Sequence, residues 1–104
     1  MVTSVLHTVN KSPFTSTLLE QCIRRMSVGD CIVLMEDGVY AALPSQPFTE
    51  QLKHLAERSS CYVIENDCIA RGLDSSQFLD GINLISIEGF VELTVKHTAS
   101  HSWY

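Results

Sequence analysis

The sequence predicts an α/β fold: a single three-layer α/β/α domain over residues 1–104, on a mostly parallel sheet of four to five strands. Three observations carry this expectation. Strand-like and helix-like segments alternate along the chain, the order that gives a parallel sheet with right-handed crossovers. The run Ile32-Val33-Leu34-Met35 is apolar on both faces, as in a strand covered on both sides. The 104 residues, 45% hydrophobic and 18% charged, suffice for one modest core. The charged fraction is below the usual quarter, which suits a surface partly covered by another subunit.

Val5–Val9 reads as the first strand. Asn10-Lys11-Ser12-Pro13 is a turn, with Ser12 and Pro13 suited to the start of a helix that runs to about Met26. Thr17 and Glu20 have capping-box spacing, so the start can also lie further in. Leu18, Leu19, Cys22, Ile23 and Met26 form the apolar stripe of this helix, and Val28-Gly29-Asp30 ends it. Cys31–Met35 is the second strand. Glu36-Asp37-Gly38 is an acidic turn, and Val39–Leu43 a short helical turn. After a break at Pro44–Pro47, Phe48–Arg58 reads as a helix with Phe48, Leu52, Leu55 and Ala56 inward. Ser60–Ile64 is the third strand. A helix follows from Glu65 to Arg71, with Gly72 at its C-cap. Ile82–Ile87 is the fourth strand. Glu88–His97 is the last helix, with Phe90, Val91, Leu93 and Thr94 as packing positions. The tail Thr98–Tyr104 ends in Trp103-Tyr104, either a frayed end or a contact docked on a partner, and a fifth strand there is left open.

Composition excludes several function classes. A net charge of −5, with Arg24-Arg25 the one adjacent pair of basic residues, argues against direct nucleic-acid binding. The start MVTSVLHTVNKSPF lacks a basic segment followed by a long apolar one, and no apolar run has transmembrane length. A cytoplasmic protein without membrane contact is expected. In that setting Cys22, Cys31, Cys61 and Cys68 are expected as free thiols.

No dinucleotide fingerprint, P-loop, nucleophile elbow or Cys-x-x-Cys pair is present, and no cofactor is expected. His97 and His101 have the i,i+4 spacing of one helical face, but two ligands do not make a metal site, and none is expected. Glu36 and Asp37 are the one candidate carboxylate pair at the sheet's carboxyl edge. Sequence neighbours point apart, so a solvated turn or a small-ligand edge are the alternatives there. His7 is expected to make a structural hydrogen bond near the carboxyl half of its strand. Arg71 is expected to pair with an acid or a helix-terminal carbonyl.

Leu6–Phe14 (LHTVNKSPF), Gly29–Ala42 (GDCIVLMEDGVYAA), Asn66–Gly72 (NDCIARG) and Phe90–His97 (FVELTVKH) together resemble the TusB/DsrH family, in order across nearly the whole chain. The resemblance implies a DsrE/F/H-like fold. It also implies a mainly structural subunit, not an enzyme in itself, of a heterohexamer with TusC-like and TusD-like partners. That complex exchanges sulfur indirectly with TusA-like and TusE-like carriers. It passes persulfide sulfur for 2-thiolation of the wobble uridine of tRNA, in 5-methylaminomethyl-2-thiouridine synthesis. DsrH-like members belong instead to a sulfur-oxidation complex. The sulfur-carrying cysteine is expected in the TusD-like partner, and the isolated chain can form a homo-oligomer.

A sulfur carrier in its own right is the alternative, through Cys22 or Cys68. Some family members carry a cysteine near Cys22, but here it falls on the apolar stripe, where cysteine is usually a small hydrophobe. Cys68 lies in the first turn of a helix, which favours a thiolate, beside Glu65 and Asp67, which oppose one. Glu36, Asp37, Gly38, Val39, Tyr40 and Trp103 are the candidate subunit-contact residues.

Overall fold

The computed structural model describes residues 4–104. Its core is a five-stranded sheet, every pairing parallel, in the order β4-β3-β2-β1-β5. The strands are β1 (Val5–Val9), β2 (Cys31–Leu34), β3 (Ser60–Ile64), β4 (Ile82–Ile85) and β5 (Ala99–Trp103). Between them lie α1 (Leu18–Arg25), α2 (Thr49–Arg58), α3 (Glu65–Ala70) and α4 (Ile87–Lys96). The acidic turn and the segment after it form one 3-10 helix, Glu36–Ala42. The tail is a true fifth strand.

Alternation along each strand divides the core into two clusters. Val9, Ile32, Leu34, Cys61 and Val63 face α1, α2, the 3-10 helix and Cys68 of α3. Leu6, Cys31, Val33 and Ile64 face the other way, with Met35, Phe90 and Leu93 packed on them. Crossovers of one hand explain the uneven layers. From β1 to β4 the chain steps steadily in one direction, which keeps α1, α2 and α3 on one face. The connection from β4 to β5 runs back across the sheet, so α4 alone covers the opposite face.

One open alternative is decided and two expectations are corrected. Helix α1 takes the later of its two starts, at Leu18 and not near Pro13, because Ser12 Oγ accepts from Phe14 N at 3.2 Å and Ser16 Oγ from Leu18 N at 3.1 Å. Such local bonds give the backbone an alternative to the helix. Thr17 takes the N-cap position without the capping-box bond; its Oγ1 accepts from the Gln21 side chain instead. β4 stops at Ile85, and Ser86 caps α4 by accepting from Gly89 N at 3.1 Å, so Ile87 is helical. On α4, Phe90 and Leu93 pack inward as expected, whereas Val91 and Thr94 are exposed.

Candidate functional site

At the carboxyl edge of the sheet, the chain leaving β2 passes through Glu36 at φ 49°, a left-handed conformation costly for glutamate. The next turn is held tightly. Met35 N donates to Val9 O at 3.0 Å and Gly38 N to Met35 O at 2.8 Å. Helix α3 clamps the segment from the side. Asp67 Oδ2 accepts from Glu36 N at 2.8 Å, and Arg71 pairs with Asp37 at 3.0 Å while donating to Asp67 O at 3.1 Å. Arg71 thus takes both an acid and a helix carbonyl as partners. Asp37 is committed to Arg71, and Glu36 points to solvent, so they do not form an acid–base pair. Among the candidate contact residues, Glu36 and Asp37 are exposed and Tyr40 half-buried, while Gly38 and Val39 are buried inside this subunit and present no surface. Asn10 Oδ1, at the end of β1, is buried with no hydrogen-bond partner.

The cysteines are free thiols withdrawn from the surface: Cys22 and Cys61 are 0% exposed, Cys68 1% and Cys31 2%. Burial first, then the Asp30 charge, pushes the Cys22 and Cys31 thiols up to about 12. Burial and the neighbouring Cys31 and Cys22 push Cys61 higher still. Cys68 rises to about 11 through burial and then Asp67, with Arg71 opposing. None of the four is a thiolate at neutral pH.

A second cluster, at the opposite end of the sheet, was not legible in the sequence. Asp30 is 4% exposed and accepts from Val5 N at 2.9 Å, Ser27 N at 3.0 Å and His7 Nε2 at 3.1 Å. Burial opposes its ionisation, but the Ser27 and Val5 amides, and then His7, outweigh it and hold the carboxyl below its usual range. Trp103 donates its indole N–H to His7 Nδ1 at 3.1 Å. An indole N–H only donates, so His7 Nδ1 is the acceptor and the Nε2–H of the same ring donates to Asp30 Oδ2. His101 stacks on Trp103 at 4.4 Å, 5° from parallel. A cavity of about 360 Å³ opens beside this cluster, walled by His7, Asp30, His101, Trp103 and Arg25. His7 makes the expected structural bond, but in mid-strand and toward the amino edge. His101 lies in β5 and His97 at the end of α4, so the pair does not share a helical face. Among the described residues no cluster suited to a metal ion is found, and no helix is long and apolar enough to cross a membrane.

The fold defines a small α/β domain on an all-parallel five-stranded sheet, with its four cysteines sealed in the core. A family model described as DsrH like protein matches residues 11–100, and the chain belongs to that family. It is similar to Protein TusB of Shigella flexneri and of Escherichia coli (strain K12), each 37% identical over 99 residues, covering 95% of this chain and 100% of the relative. In structure it resembles the ychN protein of E. coli, with a TM-score of 0.85 at 16% identity, covering 97% of this chain and 99% of the other. A protein of unknown function from Methanobacterium thermoautotrophicum gives 0.81 at 17% identity, again over 97% and 99%. At these identities the likeness concerns the fold alone.

Proposed function

We propose that this chain is a structural subunit of a TusB-type sulfur-relay complex that supports 2-thiolation of the wobble uridine in tRNA. It holds and shapes a TusD-like subunit whose cysteine carries the sulfur, within a cytoplasmic heterohexamer completed by a TusC-like chain. TusA-like and TusE-like carriers lie before and after the complex. The pathway rests on the whole-length likeness to TusB proteins. The structural role rests on one observation: all four thiols are at most 2% exposed. To accept sulfur, a thiolate must attack the outer sulfur of a donor persulfide, releasing the donor thiol and leaving a cysteine persulfide. A buried, protonated thiol does neither step. The net charge of −5 fits a subunit that leaves tRNA contact to other proteins.

The test pairs chemistry with genetics. After incubation with a persulfide-loaded donor protein, intact-mass spectra should show no added sulfur. A Cys22→Ser/Cys68→Ser chain should restore tRNA 2-thiolation to a strain lacking the gene as well as the native chain does. An adduct that disappears in Cys68→Ser or Cys22→Ser would establish the carrier reading instead. Co-expression with the TusC-like and TusD-like chains should give one co-eluting peak; a chain that elutes alone beside an intact pair of the others defeats the assembly.

A further inference from the structure

His7 has no part in the sulfur-relay role, yet its one ring ties the last strand to the core. The residue is 4% exposed. Its Nε2–H donates to Asp30 Oδ2 and its Nδ1 accepts from the Trp103 indole, each at 3.1 Å. Both bonds exist together only on a neutral ring. A second proton goes to Nδ1, the atom that faces the indole N–H. Two donors then oppose each other, and that bond becomes a repulsion. The same proton turns the contact with Asp30 into a charge-assisted bond. Protonation therefore exchanges partners: Asp30 is held harder and Trp103 is let go.

His7 shares the strand face of Val9, which α1 and α2 cover. Among the described residues, the charged and titratable groups around it come from each neighbouring element. Asp30, in the turn before β2, favours the added proton, and Glu57 of α2 supports it by lining a second cavity with Asp30. Arg25 of α1 and His101 of β5 share the cavity walls with His7 and oppose the proton. The Cys22 and Cys31 thiols near Asp30 stay neutral, pushed up by burial. A charge on His101 does not hold Trp103 in place. The two rings stack at 4.4 Å on the same strand, and cation–π attraction keeps them together as they move.

We propose that His7 is a pH-sensitive latch on β5: when its ring takes a second proton, Trp103 swings away and widens the cavity of about 360 Å³ beside it. The backbone pairing of β1 with β5 does not involve the ring and keeps the strand in place. Trp103 is only partly buried, so its indole turns out without unfolding the core. The latch is independent of the sulfur-relay role, because it uses no thiol.

The chain holds one tryptophan, so its indole N–H gives a single signal in a 15N spectrum. Between about pH 8 and pH 5, the span in which histidine changes charge, that signal should move upfield in one step. The step should coincide with the titration of the His7 ring nitrogens. Acrylamide quenching of the tryptophan fluorescence should rise over the same range while circular dichroism stays native. His7→Gln, whose amide keeps a donor and an acceptor but does not titrate, should hold the indole signal at one position throughout. His101→Asn should leave the step in place. An indole signal that does not move overturns the proposal. So does a step that survives in His7→Gln, a step that disappears in His101→Asn, or a backbone that unfolds along with it.

Discussion

Asp30 and the thiols bound the pH range of this molecule from opposite sides. The folded Asp30 carboxyl is held below its ordinary 3.8. A group with a lowered folded pKa contributes its full stability above the unfolded value and loses it as pH falls through the folded one. The thiols run the other way. Cys22 and Cys31 rise from 9.0 to about 12, so their contribution is full below 9.0 and is lost as pH climbs toward the folded values. Urea midpoints across pH should therefore show a plateau between these limits and a fall on each side. Asp30→Ala should lower the plateau by about 2–3 kcal/mol, because two amides and His7 lose their acceptor, and should flatten the acid limb. An unchanged acid limb would mean that Asp30 is not the group responsible. The sequence announces a hydrogen-bonded His7 but not its partners. Asp30 lies 23 residues away and Trp103 lies 96 away, and only the sheet order brings them together.

Elements were legible where the hydrophobic period is clean and less so where side chains compete with the backbone. β2, apolar on both faces, is buried at every position. Helix α2 turns Leu52 and Leu55 inward as its spacing requires. Helix α1 starts late because Ser12 and Ser16 bind nearby amides, a choice that propensity does not decide. The 3-10 helix Glu36–Ala42 is set by a close approach the sequence only hints at through one glycine. A Cβ on Gly38 would run into the carbonyl oxygen of Val9, whose acceptor role toward Met35 N fixes the end of β2 against β1. Neither backbone can yield without breaking that bond. Gly38→Ala should therefore cost about 2–3 kcal/mol in a urea melt, whereas Gly72→Ala, with open space at its Cβ, should cost less despite a φ of 68°. Equal losses at both sites would remove the steric argument.

At the scale of the whole molecule, the sequence shows that strands and helices alternate but not that the last strand returns to the far edge. ASHSW has a weak strand signature: two serines and an alanine outnumber its aromatic residues. Its place is earned by what it covers. β5 pairs with β1 from Val5 to Val9, Thr98 Oγ1 donates to Ser4 O at 2.8 Å, and Trp103 packs on the larger core cluster while capping His7. Without it, β1 becomes an edge strand and the buried His7–Asp30 pair opens to water. A chain ending at His97 should therefore lose more than its small missing area suggests, about 3 kcal/mol or more, since it forfeits a packed tryptophan together with a strand's pairing. Circular dichroism under urea measures the loss. In the full chain the single tryptophan reports the same event by fluorescence. If β5 belongs to the cooperative unit, the fluorescence and backbone transitions coincide. A fluorescence change at lower urea, with the backbone signal intact, would make β5 a separately released strand and would confine the cost of truncation to the edge of the sheet.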